Sequence, residues 1–552
     1  MQVMAIDLET TVRDGKRASP YVDEILAIAV NTGTDVHLTQ DLEWLERVLE
    51  DSDIVKVFHN GAFDLQFLMH HMFDVSVVNV WDTMIVERML TAGTNLSCDL
   101  GSVVDRRCGV RLSKDIRKSF MQHSGELSLQ QRQYALNDVR HLLQVHAGQK
   151  EQVSARGMDD IVRIENELVP IIAEMELCGI GFDPAAWDEI LADEEARLPE
   201  LEAEAQRQLS ASFEFDIFAG QFVGTVNLNS HTQLLSAFRA KGYELTSTSE
   251  DDLRHLGGPA VEAVLAYREC AGFLKWDYPK YVNPVTQRIH PDFVQTGADT
   301  GRFSCKNPNL QNVPKEARFR RMFVARSEHQ LITADYAQQE LRVLAELSGD
   351  RNLLEACRQS DVHLANARLI FDDDTIGKDD PRRNTAKNTG FALAYGAGLK
   401  TFAASAGLSM SDAKSAYEQI KKLYPEALTW GRDAWVRLRQ VGYTSTIGGR
   451  RRYFPGVADA PGKYTTVARN SPVQGTSADM VKLAMVLIHD RIREFNARLV
   501  LCVHDEIVVE AAVGQAKEVA CVVEQAMKDA GAYFVKAIPV PAKAVIADTW
   551  TK

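Results

Sequence analysis

The chain has 552 residues, 45% hydrophobic and 25% charged, which is ordinary soluble-protein usage spread over more length than one core organises. No run of eighteen apolar residues suggests a membrane span, and MQVMAIDLETT lacks the basic and apolar regions of a secretory signal. A formal net charge of −14 argues against a polyanionic partner only for the chain as a whole, since nucleic-acid binding needs just a local basic surface.

Residues 1–150 alternate strand-like runs (MAIDL, ILAIAV, IVKVFH) with amphipathic segments (DLQFLMHHM, TMIVERML), an α/β pattern. In IDLET, Asp7 and Glu9 stand two apart on a strand, so both carboxylates share a face. Taken alone, an exposed strand edge explains that pair as well as a cation site does. HNGAFDLQFL sets Asp64 four residues after Asn60 at the start of a helix, and YALND sets Tyr134 and Asp138 one helical turn apart. Four acids and a phenol on three separated segments can converge on two metal ions, a geometry suited to phosphodiester hydrolysis. These motifs resemble the DEDD-type 3′→5′ proofreading exonucleases of the tyrosine subclass, and all five positions match. The resemblance implies an RNase H-like fold, Asp7, Glu9, Asp64, Tyr134 and Asp138 as catalytic residues, and Asp7, Glu9 and Asp138 as metal ligands. Because IDLET lies so near residue 1, no 5′-nuclease domain is expected ahead of it.

The polar stretch 148–160 reads as a linker. From about 160 to 290 the pattern is mostly helical, including the long acidic segment AWDEILADEEARLPELEAEAQRQL, expected as a solvated helix. Strand-like runs return in 290–345 and 440–552, with a strongly helical 350–435 between them. Arginines cluster at Arg318, Arg320 and Arg321, at Arg382 and Arg383 with Lys387, and at Arg450 to Arg452; each cluster is either a nucleic-acid contact or solvated charge. The eight cysteines are scattered without a Cys-x-x-Cys pair, so neither a zinc site nor a disulfide framework is indicated and a reducing cytoplasm fits best.

QLITADYAQQELR ends a strand on Asp335, and LVLCVHDEIVVE reads as a hairpin whose short turn carries His504, Asp505 and Glu506. Asp335 alone is equally a helix cap and Asp505 equally a turn residue. Between them, RRNTAKNTGFALAYG spaces Arg383, Lys387, Phe391 and Tyr395 by four. Each step of four advances about 40° around a helix, so two cations and an aromatic form one stripe suited to a triphosphate and a flat base. An amphipathic helix with snorkelling cations accounts for this about equally well.

These three stretches resemble motifs A, B and C of the family A, DNA polymerase I-like, DNA polymerases. TGRFSCKNPNLQNVP at 300–314, DVH at 361–363 and NSPVQGTSADMVKLAM at 470–485 extend the match. The resemblance implies an α+β polymerase of right-hand shape over 151–552, with thumb at about 160–290, palm at about 291–345 and 440–552, and fingers at about 346–439. It assigns two Mg²⁺ per active site, replaceable by Mn²⁺. The metal-site residues are Asp335, Tyr336 and Asp505, with Glu506 in support. Arg383, Lys387 and His363 contact the incoming phosphates, Lys387 also protonating the leaving group. Phe391 packs on the nucleotide, and Glu340 with Tyr395 form the steric gate against a 2′-hydroxyl. Arg302, Gln311, Asn470, Gln474 and His504 contact DNA.

Two departures stand out. Thr466 occupies a position where the family carries Arg, and Gln339 replaces a usually aliphatic residue. The implied partners are primer-template DNA, dNTPs and a helicase or other replisome proteins, for a monomeric cytoplasmic enzyme of a bacterial or phage-infected cell. A phage-type replicase is the expected role, with bacterial repair or gap filling as the alternative. A single-subunit RNA polymerase is disfavoured by Glu340 and by the exonuclease motifs, and a relic scaffold by the intact Asp335 and Asp505.

Overall fold

The computed structural model describes residues 1–13, 18–72, 75–113, 116–121, 123–210, 226–254, 256–359, 361–380, 382–383, 386–387, 399, 402–403, 408–459 and 464–551. Its first sheet has five strands in the order Val36–Thr39, Ile25–Asn31, Gln2–Thr10, Ile54–Phe58, Val80–Asp82. The first three run antiparallel, whereas Gln2–Thr10, Ile54–Phe58 and Val80–Asp82 run parallel. Strand alternation sorts Gln2–Thr10 onto two faces. Met4, Ile6 and Leu8 enter the main core, while Ala5 packs with Ala135 and Val139 of the helix Leu129–Arg140. Asp7 and Glu9 continue the Ala5 side, so the strand delivers both carboxylates toward that helix.

The stretch expected as a linker is not one. The helix Leu142–Ala155 runs through most of it, and only Arg156–Met158 separate it from the helix Asp159–Cys178. Its polar residues are used internally: Gln149 is buried, accepting from Trp81 Nε1 (3.1 Å) and donating to the Thr83 carbonyl (2.8 Å), and Val153 enters the core. A sequence window reports polarity but not whether a partner waits inside.

Asp159–Cys178 is buried along most of its length and carries the apolar core without a break from Met4 and Leu8 to Trp550. Its polar side chains bond both ways. Asn166 Oδ1 accepts from Asp82 N at 2.9 Å, and Glu176 accepts from Gln66 Nε2 and, at 2.5 Å, from Phe293 N.

The helical expectation for 160–290 holds for Asp159–Cys178, Pro184–Ser210, His231–Ala240 and Pro259–Phe273, the last three sharing a separate small core. Two short strands interrupt it, Ile180–Phe182 and Arg288–Ile289, with Phe323–Val324 as the third strand of their sheet. Gly181 permits this pairing, because a Cβ there would lie 2.4 Å from the Val324 carbonyl oxygen. The acidic helix Pro184–Ser210 is solvated on most positions, but Glu194 is buried and paired with Arg197 and Arg318.

The second main sheet is antiparallel, in the order Ala497–Val503, Glu506–Ala512, His329–Tyr336, Ala542–Ala547. The long helices Thr465–Arg491 and Ala516–Phe534 pack together and contribute to the same core. Between His329–Tyr336 and this pair, the described residues include five helices, from Gln339–Ser348 to Pro425–Val441, as the sequence pattern expects. All eight cysteines are free thiols.

Two arginines from the basic clusters lie inside the protein. Arg320 is 1% exposed and pairs with Glu506 at 3.1 Å; Arg450 is 4% exposed and pairs with Asp479 at 2.7 Å and with Glu165. Neither solvated charge nor a nucleic-acid contact describes them. They neutralise buried acids, a role that net charge and clustering cannot reveal.

Candidate active sites

The first site forms where the strand Gln2–Thr10 meets the helix Leu129–Arg140. Ser128 starts that helix with a capping box, its Oγ accepting from Gln131 N (3.2 Å) while Gln131 Oε1 accepts from Ser128 N (3.0 Å). One turn on, Tyr134 and Asp138 face the strand. Carboxylate oxygens of Asp7, Glu9 and Asp138 all lie within 4.8 Å of one another. Asp64, on the helix Gly61–His71, is buried and accepts from Leu8 N at 3.0 Å, which fixes it beside the strand. All five predicted residues line one cavity of about 520 Å³.

Packing acids this closely raises their affinity for protons. Burial is the largest cause for Asp7, followed by the Asp138 charge, with Arg117 opposing both. Burial, then Asp7 and Asp138, push Glu9 up to about 9, again against Arg117. Asp64 is raised by burial and then by Asp7, and the Tyr134 phenol by burial and then by Asp138. Three half-buried carboxylates whose oxygens lie this close together could hold a hard cation, and Mg²⁺ fits such an oxygen-donor set.

Sequence reasoning passed over two residues here. Asp82, fully buried, accepts from Gly61 N (2.6 Å), Met84 N (2.8 Å) and Ile85 N (3.0 Å), holding the starts of two helices together. Its signal was an Asp directly before an apolar helical run. Arg117 lines the same cavity from the short 3₁₀ turn Arg117–Phe120, and no motif flagged it.

The second site forms on the antiparallel sheet. Asp335, the next-to-last residue of its strand, lies directly opposite Glu506, so Asp505 sits one residue from register with it, in the turn between Val503 and Glu506. The left-handed backbone of His504 (φ 57°) makes that turn tight. The expected turn is thus two residues rather than three, and Glu506 belongs to the strand. Its carboxylate is taken up by Arg320 Nη1, at 3.1 Å to each oxygen, and by Trp550 Nε1 at 2.5 Å. That leaves Glu506 as a buried brace beneath the aspartates. Tyr336 alternates away from Asp335 and donates its hydroxyl to the Met527 carbonyl at 2.7 Å, so its phenol is not at the site and only its main chain is.

Arg302, Gln311, Glu340, His363, Lys387, His504 and Asp505 all line one cavity of about 290 Å³. Arg302 and Glu340 form an ion pair across it. Arg383 lies behind, its Nε 2.9 Å from Asp361 Oδ2. Burial, the largest influence on His363, pushes it down to about 4, with Asp361 opposing and Arg383 and Lys387 reinforcing, so its imidazole is neutral. Asn470 and Gln474 are half-buried on the helix Thr465–Arg491, whose Ser477 and Ala478 reach the cavity. Phe391 and Tyr395 lie outside the described residues. Gln339, the departure noted above, is buried and donates to the Ser477 carbonyl at 3.1 Å, tying the cavity wall to that helix.

Beneath this cavity lies a buried charge cluster that no motif in the sequence marks. Glu165 accepts from Lys482 Nζ at 2.5 Å and pairs with Arg450, which also holds Asp479. Arg450 packs against Gly301, where a Cβ would come within 2.7 Å of its Nε, so the residue before Arg302 rests on this cluster.

A nuclease-like carboxylate trio where a sheet meets a helix, joined by a shared helix to an antiparallel sheet with its own aspartate pair, defines a polymerase-type protein with an attached nuclease domain. Residues 193–552 match the family model for DNA polymerase family A, and residues 1–153 that for 3′–5′ exonuclease. The chain belongs to DNA polymerase family A and carries its exonuclease domain at the N-terminal side. It is 33% identical over 487 residues to DNA polymerase I of Chloroflexus aurantiacus, covering 83% of this chain and 50% of the relative. It is 34% identical over 390 residues to the thermostable DNA polymerase I of Thermus thermophilus, covering 66% and 45% respectively. The chain therefore spans about half the length of these relatives. The polymerase domain of Pol1 from M. smegmatis, solved in complex with DNA primer-template and dNTP, shares the fold with a TM-score of 0.80 at 24% identity, covering 99% of this chain and 95% of that one. Among the described residues, no helix is long and apolar enough to cross a membrane.

Proposed function

We propose that this chain is a template-directed DNA polymerase that adds dNTPs to a primer 3′-hydroxyl and removes misincorporated nucleotides through its 3′→5′ exonuclease. The observation that carries this reading is that Asp335 pairs with Glu506, which sets it one residue from Asp505, and that Asp505 lines a cavity with Arg302, His363 and Lys387. Asp335 and Asp505 would hold two Mg²⁺ in the polymerase site, and Asp7, Glu9 and Asp138 would hold those of the exonuclease; Mn²⁺ has compatible ligand preferences. Bound there, such ions supply Lewis acidity and an activated oxygen nucleophile. The protein's own part is positional. Lys387 meets the triphosphate and stands ready to donate a proton to the leaving group, and neutral His363 offers a hydrogen bond without adding charge. Arg383 approaches from behind, and Glu340, held by Arg302, blocks a 2′-hydroxyl. Arg302, Gln311 and His504 are the contacts for the primer terminus, with Asn470 and Gln474 farther along the helix.

In this reading residues 1–150 form the exonuclease unit and 151–552 the polymerase, of right-hand form, in a cytoplasmic enzyme. The kinship to DNA polymerase I fits a repair or gap-filling role better than that of a phage-type replicase. Primer extension and 3′ degradation with Mg²⁺, using wild type, Asp505→Ala and Asp7→Ala, tests the proposal. Asp505→Ala should stop synthesis and leave degradation, and Asp7→Ala the reverse. Joint loss of both activities in either folded variant would sink the two-site assignment.

A further inference from the structure

The exonuclease cavity is not walled by the first 150 residues alone. The strands Asp292–Val294 and Ser304–Lys306 pair as a hairpin, and Asp292, Phe293, Gln295 and Lys306 line the cavity that holds Asp7, Glu9 and Asp138. Arg302 and Phe303, directly before the second strand, line the polymerase cavity. One hairpin therefore borders both sites. It is held rigidly there: Phe293 N donates to Glu176 at 2.5 Å, Gln295 Nε2 to the Glu165 carbonyl at 2.6 Å, and Lys482 Nζ to the Gln295 carbonyl at 2.8 Å. Lys306, at the open end of the hairpin opposite Asp292, is exposed.

Arg117 stands on another wall of the same cavity. Its 3₁₀ turn is docked by buried Phe120, whose ring lies 5.8 Å from that of Tyr134, by Val12 N donating to the Met121 carbonyl at 2.8 Å, and by Gln131 Nε2 donating to the Ser119 carbonyl at 3.2 Å. Arg117 is exposed at the cavity wall, and its charge opposes proton uptake by Asp7, Glu9 and Tyr134 alike. A cavity floored with carboxylates repels a phosphodiester chain, so a strand that enters it needs cations placed on its walls. Local pairing is the plainer explanation, since Lys306 faces Asp292 across the hairpin and Arg117 faces the acid trio. Yet a cross-strand partner for Asp292 is already provided by Asn307, whose Nδ2 donates to it at 2.7 Å.

We propose that Arg117 and Lys306 are phosphate-binding residues of the exonuclease site, gripping the backbone of a single-stranded 3′ end from opposite parts of the protein. This rests on the exonuclease reading above. It gives the hairpin a second task, since the segment that presents Arg302 to the primer at one site presents Lys306 to the same strand at the other.

The test uses the full chain and a single-stranded oligonucleotide as substrate. Arg117→Gln and Lys306→Gln should each raise KM about fivefold to tenfold with kcat little changed. Each should make log(kcat/KM) less steep against log salt by about 0.7, the loss of one phosphate contact on a single strand. Arg117→Lys should restore most of the KM, and binding of a labelled tetranucleotide in EDTA should weaken in parallel. Local pairing alone predicts wild-type KM and salt slope in both Gln variants, together with a lowered unfolding temperature, and that result overturns the inference. If wild type and Asp7→Ala degrade DNA equally, the exonuclease reading itself fails, a different outcome from the first.

Discussion

Magnesium should stabilise this protein more at pH 8 than at pH 6, by an amount set by the exonuclease acids. Glu9 is pushed up to about 9, first by burial and then by Asp7 and Asp138, with Arg117 opposing. An unfolded glutamate titrates near 4.3. Between these values the metal-free folded state keeps a proton that the unfolded chain releases, so rising pH favours unfolding through this group. Its slope is about 1.4 kcal/mol per pH unit for one proton. A cation bound by Asp7, Glu9 and Asp138 displaces that proton, so its apparent affinity rises tenfold per pH unit over the same window. The added stabilisation by saturating Mg²⁺ should thus grow by about 2.7 kcal/mol from pH 6 to pH 8. Hydrogen exchange of the strand Gln2–Thr10, with and without Mg²⁺ at the two pH values, reads this locally and does not require the whole chain to unfold in one step. Titration calorimetry in two buffers of different ionisation enthalpy should report at least about one proton released at pH 7. In Glu9→Gln the pH dependence should weaken, leaving the share carried by Asp7. An equal Mg²⁺ gain at pH 6 and pH 8, with no proton release, would refute the assignment of these acids as a cation site.

Glu340→Ala should raise ribonucleotide incorporation by at least about tenfold in single-nucleotide extension, because the side chain beside the sugar is removed; no increase would remove the steric-gate assignment. Arg320→Met strands the Glu506 carboxylate with only Trp550 Nε1 as a remaining donor, and should cost about 3–5 kcal/mol in guanidinium unfolding. A loss below about 1 kcal/mol would refute the role of the Arg320–Glu506 pair as the buried brace of the site. Gln339→Leu gives up the 3.1 Å bond to the Ser477 carbonyl but fills similar volume. It should stay within about 1.5 kcal/mol of wild type by the same measurement, showing that this departure from the family pattern is tolerated packing.

The motifs were legible because their geometry is local. Asp7 and Glu9 share a face by strand period, Tyr134 and Asp138 by helix period, and Asp505 sits in a turn made by residues beside it in sequence. Such relations depend on backbone repeat alone. The misreadings came where the deciding partner is distant. Residues 148–160 looked like a linker because Gln149 is polar, and nothing nearby in sequence announces Trp81 and Thr83 as its partners. Arg320 and Arg450 looked like surface charge for the same reason, their acids being Glu506, Glu165 and Asp479.

The α/β and helical regions, the two carboxylate sets and the family they resemble can all be read from residue order and spacing alone. How they are joined is a matter of packing between distant segments: one buried helix, Asp159–Cys178, packs against both sheets, and one hairpin borders both cavities. The physical reason is that burial and charge pairing are long-range. A carboxylate two residues from another is visible in any strand, but whether it meets a cation, an arginine or water depends on which distant segment packs over it.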